Sequence, residues 1–389
     1  MGILRANTIS GIGSTDAGAV FNGVTKFDTL GYVTAPSDVT ANRTYVGVTT
    51  AQGAIRFNTD SQKLEFYAQD QWWEMVIDTP NLGTGANTTA GARGVFFGAV
   101  IAPVAPNYAN SIDYVTIPST GNSISFGSLS TTNGFVASCA SSTRGLSAGG
   151  ANPAFTNTIE YVTISSTGNT TTFGQLAVTT GVYTAGGCSN ATRGLIGGGF
   201  APNNATSTNA ITYVTIASTG NSVSFGQLTR TNNYGTTGTC ASPTRGVWAG
   251  GGSAPTPVNT IDYVTISTLG NATSFGQLST SRLEAAGCSS ATRGIFAGGY
   301  SPTLLNSIEY ITIATLGNAT SFGQLTSARS YVSGCSSSTR GVFGGGQTPG
   351  NVNTIDYINI ATQGNAVSFG ALTSARYGTA ACSNAHGGL

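Results

Sequence analysis

Residues 293–336 read RGIFAGGYSPTLLNSIEYITIATLGNATSFGQLTSARSYVSGCS, and variants of this block recur end to end from Arg93 to the C-terminus. The Arg-Gly pair falls at Arg93, Arg144, Arg193, Arg245, Arg293 and Arg340. The tyrosine of the Ile-Asp/Glu-Tyr element falls at Tyr114, Tyr161, Tyr213, Tyr263, Tyr310 and Tyr357. A Phe-Gly pair begins at Phe126, Phe173, Phe225, Phe275, Phe322 and Phe369, and a cysteine closes each unit at Cys139, Cys188, Cys240, Cys288, Cys335 and Cys382. Every anchor appears six times, so the chain carries six units. A period of roughly 50 residues decides the architecture before any single residue is weighed. It also makes most conspicuous residues copies of one structural position.

Within a unit the apolar runs have strand length. Arg293–Gly299 is a short run stopped by glycines, and Ile308–Ile313 alternates with β-branched and aromatic residues. Thr320–Leu325 follows the turn dipeptide Gly317-Asn318, and 330–336, ending in Cys335, is a fourth run. Gly, Asn, Ser and Pro fill the gaps, and no segment keeps a helical period. The strands are named A (ending at Cys), B (Arg-Gly), C (Ile-Asp-Tyr) and D (Phe-Gly). Four short strands per unit predict a β-propeller blade. The fold class is therefore all-β: a six-bladed propeller, preceded by a small N-terminal β-rich segment.

The glycine pair ending strand B, the aromatic strand after it and an arginine before the next unit resemble kelch repeats. That arginine is Arg282, Arg329 or Arg376, with Asn133, Thr180 and Asn232 in the other copies. The resemblance implies a kelch-like propeller. The usual kelch tryptophan is replaced by the Phe-Gly pair, so these blades are divergent.

Three segments follow: residues 1–80, a linker over 81–92, and the propeller over 93–389. In the first, 53–59, 63–67 and 72–76 read as a three-stranded meander with turns at 60–62 and 69–71. Residues 1–52 are rich in Thr, Gly and Val, and such a stretch seldom folds alone. A partner, or a homo-oligomer of the chain, is expected to complete it. The stretch GAIRFNTDSQKLEFY with the following WWE (residues 53–74) is similar to a motif of tail-fibre and other virion proteins of tailed bacteriophages. The repeats resemble those of structural proteins from phages of marine cyanobacteria. The resemblance implies a virion component assembled in the host cytoplasm, attached through its N-terminal segment to other virion proteins, with the propeller outward.

Composition narrows the function. Only 7% of residues are charged, against about 25% in ordinary globular chains. A net charge of +1, with no lysine after Lys63, argues against nucleic acid and against a polybasic membrane patch. No apolar run approaches a membrane span, and no signal sequence is visible at Met1–Arg5. The cysteines occupy one equivalent position in each blade and read as buried free thiols. The enzymatic readings fail on residue types. His386 is the only histidine, which excludes copper-oxidase ligand sets and Ser/His/Asp or Cys/His hydrolases. Glycosidases need paired carboxylates. The propeller has only six acids, and Asp113, Glu160, Asp262, Glu309 and Asp356 are repeat-equivalent, leaving Glu284 alone. The Arg-Gly arginines read as structural, bonded to turn carbonyls or paired with the strand C acids. The expectation is no catalysis, no metal and no cofactor.

Binding remains. The A–B and C–D turns barely change between blades, whereas the B–C and D–A loops vary and carry aromatics. These are Tyr108, Phe155, Phe200 and Tyr300 in B–C loops, and Phe135, Tyr183, Tyr234, Tyr331 and Tyr377 at D–A. Variable loops on a constant scaffold are where recognition resides. Aromatics with Asn, Ser and Thr suit a host-surface glycan or protein; the competing reading is that these rings pack between blades. Three functions stand: a virion adhesin such as a tail fibre, an architectural tail, baseplate or capsid decoration protein, and an intracellular kelch-type adaptor.

The first unit starts at strand B, and the chain ends after an unaccompanied strand A near 377–383. That strand is expected to complete the first blade and tie the ends together. Deletion of 376–389 should open the ring and lower the melting temperature; a truncated chain that melts like the full one would refute this closure.

Overall fold

The computed structural model describes residues 37–38, 54–59, 63–74, 92–101, 107–152, 154–177, 181–201, 206–232, 238–253 and 256–389. The chain divides into two compact units, Met1–Thr79 and Pro80–Leu389. The expected linker over 81–92 and most of residues 1–52 lie outside the described residues.

In the first unit Ile55–Asn58, Lys63–Ala68 and Gln71–Glu74 form the antiparallel meander, and Ser37–Asp38 pairs parallel to its edge. Gln69 and Asp70, both at positive φ, make the two-residue hairpin turn whose twist matches the strands. The other expected turn, 60–62, is outside the described residues. Glu65 is fully buried between Asn58, whose amide donates to it at 2.8 Å, and Arg56 at 3.4 Å.

The second unit is all-β and β-propeller-like, with no helix among the described residues. Its repeats form successive antiparallel sheets in strand order A-B-C-D. Sheet 2 is Ala137–Ala140, Arg144–Ala148, Thr158–Thr163 and Thr171–Gln175. Sheet 3 is Gly186–Ser189, Arg193–Gly197, Thr206–Thr215 and Val223–Asn232, with Phe200–Ala201 added beside its third strand. Sheet 4 is Gly238–Ala241, Arg245–Ala249, Thr260–Thr265 and Thr273–Gln277. Sheet 5 is Ala286–Ser289, Arg293–Ala297, Ser307–Thr312 and Thr320–Gln324. Sheet 6 is Ser333–Ser336, Arg340–Gly344, Thr354–Asn359 and Val367–Ala371. Sheet 1 takes its A strand, Ala380–Ser383, from the end of the chain, where Cys382 pairs with Val95, and continues with Arg93–Val100, Tyr108–Thr116 and Ile124–Ser128. Asn384 Oδ1 accepts from Arg93 N at 2.7 Å, which caps strand B as Ser141, Asn190, Ser242, Ser290 and Ser337 do within their own repeats.

Neighbouring sheets lock at three depths. On the inside each cysteine fills the space left by the Arg-Gly glycine of the next sheet. The pairs are Cys139–Gly194, Cys188–Gly246, Cys240–Gly294, Cys288–Gly341, Cys335–Gly94 and Cys382–Gly145, and a Cβ on any of these glycines would lie 3.0 Å or less from the sulfur. At mid-depth each Arg-Gly arginine lies over its own strand C tyrosine, 4.4–4.9 Å from the ring centroid. Its Nη1 donates across to the next sheet: Arg144 to Ile216 O and Ala217 O, and Arg340 to Ile117 O and Pro118 O. The tyrosine in turn meets the Phe-Gly phenylalanine edge-on, as in Tyr310–Phe322 at 6.0 Å. On the outside, the Gly-Asn turn docks on the preceding strand D. Gly317 N donates to Phe275 O, and Asn318 Oδ1 accepts from Gln277 N. Carbonyls of these turns sit where a Cβ of the Phe-Gly glycine would project. The turn thereby covers an edge that would otherwise be unpaired.

The strand C acids do not pair with the Arg-Gly arginines, as one sequence reading had it. They anchor the D–A crossover instead. Arg282 pairs with Glu309, Arg329 with Asp356 at 2.8 Å, and Arg376 with Asp113, with every partner buried. Burial lowers the pKa of each of these arginines, and the paired acid opposes that shift. Where Asn133 occupies the arginine slot it donates to Gly149 O, as Arg282 does to Gly298 O. In the sheet 3–4 crossover Arg230, two residues before Asn232, reaches Gly250 O. Strand A is also shorter than the expected 330–336, because Tyr331 has φ 52° and the strand starts at Ser333.

The thiol–glycine contact sets a quantitative expectation. Gly294→Ala should destabilise the chain by about 1–3 kcal/mol through overpacking. Cys240→Ala removes the obstructing sulfur, so the double variant should be more stable than the sum of the two single changes predicts. Urea unfolding of the four proteins measures this coupling, and strict additivity would refute the interlock.

Candidate binding face

The B–C and D–A loops meet at one end of the sheets, joined by the bridges Gly134–Ala151, Tyr183–Phe200, Leu283–Tyr300, Ser330–Gln347 and Val100–Tyr377. Short ribbons such as Ala151–Asn152 with Ala154–Phe155, and Tyr300–Ser301 with Thr303–Leu304, stand within the B–C loops.

Six of the nine sequence-predicted rings touch one another there. Phe135 is the hub, edge-on to Tyr183 at 6.0 Å, Tyr331 at 5.5 Å and Tyr377 at 5.8 Å. Tyr331 and Tyr377 are 5.4 Å apart. On the other side Tyr183 stacks on Phe155 at 4.7 Å and 12°, and Phe200 sits edge-on to both. Tyr108 packs against Gly134. Tyr300 is 41% exposed and, among the described residues, has no ring contact with this belt. Tyr234 lies outside the described residues.

Counting back from the cysteines separates the D–A aromatics into two positions. Phe135 and Tyr331 are four residues before their cysteines, and Tyr183 and Tyr377 are five before theirs. The first position is held by Phe135, Thr184, Glu284, Tyr331 and Gly378, all with φ between 52° and 63°. Left-handed backbone at non-glycine residues carries strain that its surroundings must hold. Here hydrogen bonds do so: Phe135 N donates to Gly378 O, Thr184 N to Phe135 O, and Tyr331 N to Glu284 O. Glu284, noted in the sequence only as a break in the pattern, bonds to Tyr331 and Ser330, and burial raises its carboxyl pKa. The inner rings thus form a packed lid, while Phe155, Phe200 and Tyr300 lie at its margin.

At the end opposite the lid, the six A strands and His386 border a cavity of about 60 Å³. Residues 384–389 turn into that end. His386 Nε2 lies 2.9 Å from Ala140 O and 3.3 Å from Ser189 Oγ, Gly388 N donates to His386 Nδ1, and Gly387 N donates to Ser289 O. With Nδ1 accepting, Nε2 carries the proton and donates to Ala140 O, so it is no base for Ser189, whose hydroxyl also donates to that carbonyl at 2.7 Å. Nucleophile activation requires the reverse polarity. The cysteines are all buried free thiols; burial pushes those of Cys139 and Cys335 up to about 12, which leaves them protonated and unreactive. Among the described residues no cluster of His, Cys, Asp and Glu could hold a metal ion, and no helix is long and apolar enough to cross a membrane.

No family model matches the chain, and no curated protein matches it.

Burial lowers the His386 pKa below its ordinary value. The unfolded chain therefore binds this proton first, and stability from the buried neutral imidazole is fully present above the unfolded value of about 6.5. It should fall as pH drops through and below that value. Melting temperatures of the full chain at pH 8 and pH 5 should differ more than those of His386→Gln, whereas equal pH slopes would contradict the buried neutral imidazole.

Proposed function

We propose that the chain is a non-enzymatic structural protein of a tailed-bacteriophage virion. Its six sheets make a closed six-bladed, kelch-like propeller that contacts the host surface through the B–C and D–A loop face. Closure is supported by contacts that run from each sheet to the next and from sheet 6 back to sheet 1. Ser383 Oγ donates to Ser336 O, Ser138 Oγ donates to Ala381 O, and Arg340 reaches Ile117 O. The virion assignment rests on the resemblance of the N-terminal motif and of the repeats.

One observation carries the binding role. At the A–B and C–D end, the arginines and Gly-Asn turns are consumed in holding sheet to sheet. At the other end, aromatic rings gather on loops that differ from sheet to sheet. The crossovers at this end are anchored at their base by buried donors, and the B–C loops beyond those anchors can change without unlocking the scaffold. The N-terminal unit would then provide attachment to other virion proteins and self-association. An architectural role, with the propeller bound to virion proteins, is the competing outcome.

Fluorescently labelled full-length protein, applied to a panel of marine cyanobacteria and unrelated bacteria, tests this. Saturable labelling of a subset of strains is expected. Absence of labelling on every strain, together with co-purification of the chain with tail or capsid proteins from infected cells, would favour the architectural role.

A further inference from the structure

Sixteen charged side chains follow residue 92, ten arginines and six acids. Six arginines serve the sheet-to-sheet bonds at the A–B end. Arg282, Arg329 and Arg376 are buried against acids, and Arg230 reaches into the sheet 4 crossover. Five acids receive crossover hydrogen bonds or ion pairs, such as Glu160 from Ser130 N and Asp262 from Thr229. Glu284 alone lies in the aromatic lid, bonded to Tyr331 and Ser330. The aromatic face therefore presents no cation, and its one acid is already engaged. An anionic ligand finds no counter-charge there.

The rings at the margin have the geometry of a platform. Phe155 and Tyr183 are nearly parallel, and Phe200 closes one side. Tyr183 and Phe200 exchange backbone hydrogen bonds at 3.3 and 3.1 Å, so the ring positions are fixed before any ligand arrives. All three rings are only partly exposed, so side chains of about 150–250 Å² each leave roughly 200 Å² or less for a ligand. That is well below the ~800 Å² per partner of a stable protein interface. It matches one or two flat rings whose C–H bonds meet the electron-rich aromatic faces. Asn152, Thr156 and Asn157, partly exposed near Phe155 in the sequence, supply neutral hydrogen-bonding groups.

We infer that the Phe155–Tyr183–Phe200 platform binds an uncharged hexose-type sugar of a surface glycan, stacked on the aromatic faces. This rests on the adhesin reading and assigns its ligand class and its site. A printed array of neutral, sialylated and phosphorylated glycans, probed with the full-length protein, supplies the first test. Calorimetry with the best neutral oligosaccharide supplies the second. Neutral glycans should bind, and adding sialic acid or phosphate should not strengthen binding. Phe155→Leu and Phe200→Leu, which keep side-chain bulk, should each weaken binding at least tenfold. Tyr300→Ala, outside the platform, should stay within about threefold of the parent. Binding confined to charged glycans, or unchanged by both leucine variants, overturns the inference. Labelled cells without any neutral-glycan binding overturn it too while leaving the adhesin reading intact; unlabelled cells remove both.

Discussion

The close approach of adjacent sheets is the constraint on which the other features depend. Two of the three interlocks exist only because a glycine leaves a space: the Arg-Gly glycine for a thiol and the Phe-Gly glycine for a turn carbonyl. Glycine inside a strand ordinarily weakens it. Here it admits a neighbour, and the strand recovers packing from outside its own sheet. Cysteine suits the inner contact because it is small, apolar and content to be buried. The same sheet-to-sheet spacing places the Arg-Gly guanidinium within reach of the next sheet's carbonyls while it lies over its own tyrosine. One spacing therefore satisfies all three contacts, and a change in it would disturb all three together.

The six repeats carry only sixteen charged side chains and use nearly all of them internally. Burying an ion pair is a weak source of net stability, but removing one partner is costly. In the D–A crossovers the arginine carries several hydrogen bonds besides the ion pair: Arg329 also donates to Thr354 O and Phe343 O. The pair thus fixes the path of a crossover that has no regular structure of its own. Asn133 reaches a comparable carbonyl from the same slot, and Arg230 does so from four residues earlier in its crossover, counted back from the carbonyl. The requirement is for a donor at that carbonyl, and the charge itself is secondary.

Much of this was legible in the repeat. The anchors located strands B, C and D in every unit, and the orphan segment at the end paired with strand B of the first sheet. The meander was readable from Ile55 to Glu74. The inner strand was harder to place. Tyr331 looked like its continuation, yet left-handed backbone at that position ends the strand, and φ is not written in residue type when the residue is Phe, Thr, Glu or Tyr. The partner of the Arg-Gly arginine was open between two choices because both acid and carbonyls recur with the same period. Periodicity cannot distinguish contacts within a sheet from contacts to the next one. Two signals went unused: a glycine repeated inside strand D, which marks close backbone approach, and the one-residue offset that splits the D–A aromatics.

That offset also separates the aromatics by their surroundings, since one subset is packed and the other is partly exposed. The two rings on the left-handed position, Phe135 and Tyr331, meet edge-on, and their packing stabilises a strained backbone. Phe135 and Tyr331 cannot be surrendered to a ligand without releasing that strain. Rings carried on the B–C ribbons have no such duty. Phe155 and Phe200 both pack on Tyr183, which also touches Phe135 and so links the two groups. The face is thus graded from a rigid aromatic centre to a margin set by loops of differing length. Such a gradient lets the margin diverge while the centre keeps the loops in register.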